Sequence, residues 1–111
     1  MIKQFQMLEM DLTLHGVAKT YYVDVMVQIQ FAFDANLLAY IDSIDFISGT
    51  IIDRHNDAWQ VPIMPNAFNS LYMDLIAQIV QAIEEKEAEN LINEWLVNIT
   101  EEYFETEGGL Q

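Results

Sequence analysis

Hydrophobic and polar residues alternate along the chain before Pro65. In the first alternating run, four apolar residues are separated by polar ones: Leu8, Met10, Leu12 and Leu14. A period of two predicts a strand with one buried face. His15-Gly16 follows as a turn, because glycine accepts positive φ without a Cβ clash. The longest run covers residues 22–33 and is rich in valine and aromatic residues, so it predicts a second strand paired with the first as an antiparallel hairpin.

Two more strands are predicted after a connection at Asp34–Leu38. An extended region covers Ile41 to Asp53, and its internal Ser48-Gly49 indicates a bulge or bend. Its core candidates are Ile44, Phe46, Ile51 and Ile52. A hairpin loop at Arg54–Asp57 then leads to a short strand, Trp59–Ile63. Pro62 places this strand at a sheet edge or ends it there, because proline has no N–H for the ladder.

From residue 66 onward the apolar period becomes helical. The residues of the first stripe follow three-four spacing: Phe68, Leu71, Tyr72, Leu75, Ile76, Ile79, Val80 and Ile83. This spacing predicts an amphipathic helix, for which Asn66 is the N-cap candidate. The stripe resumes as an apolar seam comprising Leu91, Ile92, Trp95, Leu96 and Ile99.

Between the stripe and the seam lies the polar segment Glu84–Asn90, and two interpretations compete there. One helix over residues 67–105 would be about 58 Å long. It would overhang strands of roughly 17–30 Å and leave the seam in need of a partner. A break near Glu89-Asn90 would let a second helix fold back, and average helix lengths favour the break. However, Ile83 and Leu91 are eight residues apart, so the phase is unbroken.

The pattern predicts one α+β domain over residues 1–111. It consists of a four-stranded, mostly antiparallel sheet in 1–64, one long or two shorter helices in 66–106, and a frayed tail in 107–111. No continuous apolar run indicates a targeting segment or a transmembrane helix, so a cytoplasmic protein is expected.

Charge then restricts the function classes. The 111 residues contain 18 acidic and 4 basic residues, for a net charge of −14, yet 52% are hydrophobic, which argues against disorder. Direct binding of nucleic acid or anionic membrane is excluded, because phosphate contacts need lysine and arginine. The absence of cysteine excludes disulfides and thiolate chemistry.

Motifs for catalysis are absent, so we expect neither an enzyme nor a cofactor. The segment Asp53–Asp57 alternates carboxylate, imidazole and carboxylate, as a metal loop would. A calcium loop would need glycine at Ala58 and glutamate at Met64, so a polar hairpin loop is favoured and no metal is expected. Trp95 is balanced between a core role and a partner contact.

Acidic residues concentrate in the helical region. Residues 74–111 contain ten acidic residues and one lysine, and so carry −9 of the −14. Well-behaved small domains need a net charge of only about 2–8 in magnitude, and repulsion at i,i+4 spacing costs stability. We therefore expect the carboxylates to bind a cationic partner. The candidate partner-binding residues are Glu84, Glu85, Glu89, Glu101, Glu102 and Glu105, with Asp42, Asp45, Asp53 and Asp57 as a second patch and Trp95 as an anchor.

Short, cysteine-free, acidic α+β chains resemble the small phage and mobile-element proteins that block nucleic-acid enzymes by imitating DNA charge. The likeness covers residues 40–90: the Ile44–Asp53 strand, a polar turn, Trp59–Ile63 and an acidic helix. It is one of pattern and composition, and it carries no functional residue across.

The resemblance implies a non-enzymatic inhibitor or DNA mimic that occupies a basic site on a nucleic-acid-processing protein, such as a defence nuclease, in the host cytoplasm. The alternative is an assembly protein that forms a homodimer through the apolar seam, with acidity serving solubility only.

Overall fold

The computed structural model describes residues 1–63 and 70–108, with side chains for 1–55, 60–63 and 72–101. In this part of the chain, four strands precede one helix: β1 (Ile2–Leu14), β2 (Val17–Phe33), β3 (Ala39–Asp53), β4 (Asn56–Ile63) and α1 (Ser70–Gly108). The strands form one antiparallel sheet in the order β1-β2-β3-β4. The α+β prediction is confirmed, and Pro62 lies in an edge strand as expected.

Strand β2, which lies between β1 and β3, runs through the middle of the core. Alternation buries its odd-numbered residues from Tyr21 to Ile29 beneath α1 and leaves Gln28 and Gln30 on the open face, the sheet face opposite the helix. The other elements contribute Met10, Leu12, Ile51, Ile63, Leu75, Ile79, Ile83 and Leu91 to the same cluster. The core is therefore a single layer between one sheet face and one helix.

A bulge in β1 changes the phase of its alternation. Phe5 pairs with Val25 and Leu8 pairs with Val23, so two residues of β1 lie opposite one of β2. Before the bulge the helix-facing positions are odd-numbered, and after it they are even-numbered. Because of this phase change, the period-two pattern detected only the second half of the strand. The strand β1 therefore begins at Ile2 and not near Leu8.

Strand β3 has two irregularities of the same kind, at Asp42 and at Ile47, each of which is an extra residue opposite β2. Ile51 faces the helix, whereas its neighbour Ile52 faces the open side between Tyr22 and Gln60. Ile52 is therefore buried but does not belong to the core cluster. The loop predicted at Arg54–Asp57 is also shorter, because β4 begins at Asn56.

Of the two interpretations of the helical region, the structure has the single helix, since α1 is continuous over 39 residues; the break near Asn90 that average helix lengths favoured is not present. The argument for a break assumed strands of ordinary length, but β2 has 17 residues and spans about 56 Å when extended. The helix, about 58 Å long, therefore has a sheet of matching length to cover. The N-cap proposed at Asn66 lies outside the described residues, and the helix extends to Gly108, two residues beyond the expected helical region.

The buried row of α1 follows steps of four residues through Leu75, Ile79, Ile83 and Leu91. The position between Ile83 and Leu91 is Glu87, which is half-buried and accepts a hydrogen bond from Asn90 Nδ2 at 3.3 Å. One charged side chain in the row thus accounts for the interruption of the apolar pattern without any break in the helix.

Gly49 provides space for a neighbouring aromatic ring. A Cβ at this position would lie 2.9 Å from Phe46 Cζ and 3.1 Å from the Asp24 carbonyl oxygen. We expect Gly49→Ala to lower the free energy of unfolding by about 1–3 kcal/mol through overpacking, although alanine suits a strand better than glycine. Urea denaturation measures the change, with Ser48→Ala as the exposed control. Replacing the ring of Phe46 with a smaller side chain, in Phe46→Leu, should reduce the loss of stability caused by Gly49→Ala. An unchanged or raised stability of Gly49→Ala would contradict this account.

Candidate functional site

The acidic residues predicted on the helix lie on its solvent side. Glu84, Glu85, Glu89 and Glu101 are all exposed, and the side chains of Glu102 and Glu105 lie outside the described part. Gln81 Nε2 donates to Glu85 Oε1 at 3.1 Å. Since the helix rises about 1.5 Å per residue, Glu101 lies roughly 24 Å beyond Glu85. These carboxylates are therefore spread over the exposed surface of α1 and do not form a compact cluster. Glu85 and Glu89 lie one turn apart on one face, and we name this pair the acidic ridge.

Asp45 of the second patch lies on β3 opposite Gln28, so its side chain is on the open face, but the residue borders a cavity between β3 and the helix. A cavity of about 340 Å³ is lined by Asp45 together with Met73, Ile76 and Val80 of α1. Val80 also lines a second depression that includes Glu84 and Glu85. We name Asp45, Glu84 and Glu85 the acidic flank, because they border two depressions that share Val80; Glu84 and Glu85 lie on α1, and Asp45 lies on β3 with its side chain on the open face.

The other members of the second patch are separated from the acidic flank. Asp42 is exposed at its bulge, nearer the β2–β3 turn. Asp53 lies at the far end of β3, opposite Tyr21, and the Asp57 side chain is not among those described. Asp42, Asp45 and Asp53 thus extend along β3, and Asp57 belongs to β4, so the four aspartates do not form one patch.

Trp95 packs inside the molecule. Its ring stacks on Phe31 with centroids 4.8 Å apart and an angle of 8° between the planes, and it contacts Phe33 at 5.2 Å. Such aromatic pairs contribute about 0.5–1.5 kcal/mol beyond the burial of their area. This contact joins the second half of α1 to the end of β2, and it leaves part of the ring accessible.

Three of the four basic residues form ion pairs away from the acidic flank. Lys3 Nζ lies 2.9 Å from Glu94, Lys19 Nζ lies 2.6 Å from Asp53, and Arg54 Nη1 lies 3.8 Å from Glu9. Within the described residues, no ion pair involves Asp45, Glu84 or Glu85. The field of the acidic flank is therefore not neutralised locally by these three bases.

Asp53 is the acidic candidate with the most internal contacts. Its Oδ2 accepts from Lys19 Nζ, and its Oδ1 accepts from the backbone N–H of His55 at 2.8 Å. These two hydrogen bonds lower the pKa of Asp53 below its ordinary 3.8, the lysine having the larger effect. The same contact raises the pKa of Lys19 above 10.5. Asp53 is thus partly neutralised before any partner binds.

No metal centre forms among the described residues, where no three histidine or carboxylate side chains come together. In the interpretation of Asp53–Asp57 as a metal loop, Asp53 would have to exchange both hydrogen bonds for metal ligation. Nor does any described helix have an apolar stretch long enough to cross a lipid bilayer.

Sequence reasoning missed a groove on the open face around Asp24. The alternation of β2 places Asp24 on its polar face, so the sequence contained that part of the signal. The groove itself depends on the β1 bulge and on residues contributed by four strands, which no local pattern indicates. Comparison with protein-family models, curated proteins and solved structures gave no match.

Replacement of Lys19 tests the cause of the Asp53 pKa shift. We expect Lys19→Gln to raise the pKa of Asp53 towards 3.8 while leaving it somewhat low, because the His55 N–H still donates. A carbon-detected NMR titration of the Asp53 carboxyl measures this, and Lys3→Gln, whose lysine pairs with Glu94, serves as the control.

The same pair predicts a pH window for stability. A lowered aspartate pKa stabilises the fold above pH 3.8, and this contribution is lost as the pH falls through the lowered pKa. A raised lysine pKa stabilises the fold below pH 10.5, and this contribution is lost as the pH rises through the raised pKa. The stability difference between wild type and Lys19→Gln should therefore be largest between those two limits. A constant difference at all pH values would exclude the ion pair as its source.

Proposed function

We propose that this protein is a non-enzymatic binding protein whose carboxylates occupy a basic site on a nucleic-acid-processing protein, as a phage-type inhibitor or DNA mimic does in a host cytoplasm. The observation that carries the proposal is the charge density. The net charge of −14 is distributed over a molecule 58 Å long, which is about one charge per 4 Å. A single nucleic-acid strand carries one charge per ~3.4 Å of axis and a duplex one per ~1.7 Å.

The fold supports this role by holding charged residues at fixed positions on a packed helix. The ridge on α1 belongs to a helix packed along the sheet, so Glu85 and Glu89 keep a fixed spacing of about 6 Å along the axis. Asp45 adds a carboxylate on β3, on the open face of the sheet. A partner that tracks a phosphate backbone with lysine and arginine would meet carboxylates held in position, which reduces the ordering cost of binding.

Solubility alone accounts poorly for such an arrangement. A net charge of that size repels itself in the compact state, and three basic residues relieve only the ends of the sheet and Glu94. Among the described residues no ion pair relieves the acidic flank, and Lys86 is the one base next to it in the sequence, so we expect its carboxylates to cost stability. Selection for a cationic partner explains that cost, because attraction between exposed charges accelerates association and confers specificity.

The test uses a panel of purified nucleases and nucleic-acid-binding proteins passed over the immobilised protein at about 50 and about 500 mM salt. We expect the partner to be retained at low salt, to be released as salt rises, and to be displaced by duplex DNA. Neutralising the ridge with Glu85→Gln and Glu89→Gln should weaken binding about two- to thirtyfold, since exposed pairs contribute about 0.2–1 kcal/mol each.

The matched control is Glu9→Gln with Asp11→Asn, which removes the same charge from β1. Both residues are exposed and lie outside the acidic ridge and flank. Because Glu9 pairs with Arg54 and Asp11 accepts from Thr20 Oγ1, urea denaturation first establishes that both double variants are folded. If retention of the partner does not weaken as the salt concentration rises, the electrostatic explanation of binding is wrong. Equal losses in the two double variants would show that only total charge matters and not the face that carries it.

Self-association remains the second candidate function, and exposed apolar side chains at one end of the molecule favour it. Within the seam predicted for it, Leu91 is buried and Trp95 is stacked on Phe31, so the described sheet already covers much of that surface. Six of the exposed apolar residues lie at or beside the β2–β3 turn and in α1 just after Trp95: Phe33, Leu37, Leu38, Tyr40, Val97 and Ile99. A homodimer would therefore use this end.

Light scattering separates the two candidates through the sign of the salt effect. Two copies of net charge −14 repel each other, so a dimer should strengthen as salt rises, opposite to binding of a basic partner. Leu38→Glu should abolish the dimer, whereas Val17→Glu, an equal change at the other end of β2, should not. A monomer at all salt concentrations eliminates this candidate.

A further inference from the structure

A groove crosses the open face of the sheet, on the side away from α1. It is a cavity of about 350 Å³ whose side chains come from all four strands: Gln4, Asp24, Met26, Ser48, Thr50 and Pro62. The pairing register explains why they meet. Gln4, Met26 and Ser48 form one row across the sheet, and Asp24, Thr50 and Pro62 form the next. The groove lies between the two rows.

The carboxylate in this groove is held in place by the β1 bulge. Met7 has the unusual φ of 53° for a residue with a Cβ, and its N–H donates to Asp24 Oδ1 at 2.8 Å. Conformations of this kind persist where the surrounding structure imposes them, and they concentrate at functional sites. The bulge thus directs a backbone donor at one oxygen of a half-buried carboxylate and fixes the orientation of the other.

The lining determines which ligand chemistry fits. Asp24 is the one charged side chain lining the groove, and none of the described lysine or arginine residues lines it. The hydroxyls of Ser48 and Thr50 can accept hydrogen bonds, and Met26 and Pro62 provide apolar surface. An anion would be repelled, and a calcium ion would need several oxygen ligands with more charge.

An organic cation satisfies the lining better than a metal ion does. We compare the cationic groups of lysine and arginine. The ammonium group is compact and strongly hydrated, whereas the guanidinium group is planar, weakly hydrated and has five hydrogen-bond donors. A shallow groove on a sheet face suits the planar group, because its edge can reach Asp24 and a hydroxyl while its face covers apolar atoms.

We propose that this groove is a binding site for a guanidinium group, with Asp24 as its counter-ion and Ser48 and Thr50 as additional acceptors. The group could belong to an arginine side chain of a protein or to a free guanidine compound. The site rests on the geometry of the open face and does not require the function proposed above.

The experiment is an NMR titration of the isotope-labelled protein with N-acetyl-arginine amide. We expect saturable shifts of the amides of Met7, Gly49 and Thr50, with millimolar affinity. Asp24→Asn should weaken binding about tenfold through loss of the charge-assisted hydrogen bond. Asparagine retains an oxygen that can accept from the Met7 N–H, so the bulge should be preserved. Asp45→Asn, an equal charge change outside the groove, should bind as wild type does.

Two further ligands distinguish charge from shape and the two sources of the group. N-acetyl-citrulline amide has the same outline without the charge and should give no saturable shift. Ethylguanidinium has the same cationic group but lacks peptide groups. If its affinity for the groove is lower than that of the arginine amide, a protein side chain is the source of the group. If the two affinities are equal, a small compound is the source.

Ser48→Ala tests the hydroxyl contribution and should weaken binding about threefold while leaving the charge unchanged. Saturation by citrulline, equal affinities of Asp24→Asn and Asp45→Asn, or absence of saturation by both guanidinium ligands would overturn the proposal.

Discussion

The packing of one long helix along one long strand is the constraint on which the rest of the structure depends. A row of helix side chains at four-residue steps, from Leu75 to Leu91, is buried over the β2 residues Val23 to Ile29. The burial of this apolar surface is the main stabilising contribution in a chain that has only one core layer. It requires that helix and sheet match in length, and a 17-residue strand beneath a 39-residue helix meets that requirement.

This packing divides the remaining surface into two parts. Because the sheet buries one face only, its other face stays open and mostly polar, and the back of the helix stays exposed along its length. Both can accept charge without disturbing the core. Three of the four basic residues form ion pairs with residues of the sheet or with Glu94, as in the pair of Lys3 with Glu94, which connects β1 to the second half of α1. The fold therefore permits a strongly acidic exterior, and it leaves room on the open face for a more specific contact.

The candidate site was predictable in its composition and less so in its arrangement. Glu85 and Glu89 were recognisable on the solvent side of a helix from spacing alone, since helical period fixes which residues share a face. That Asp45 and Glu84 border two depressions sharing Val80, and that Asp53 is engaged by Lys19, depends on contacts between residues distant in sequence. Trp95 was ambiguous for the same reason, because its stacking partner Phe31 lies 64 positions earlier in the chain.

The sequence by itself determined the fold class, the faces of β2 and the helical period, because these follow from local alternation that repeats over many residues. It also determined the charge, from which we predict that nucleic acid is not a direct ligand. Tertiary structure alone decided the continuity of α1, the early start of β1 at Ile2, and the groove at Asp24. Each of these depends on a bulge or on a matching of lengths between elements. A bulge such as the one at Met7 shifts the alternation by one residue, and only the partner strand shows where it falls.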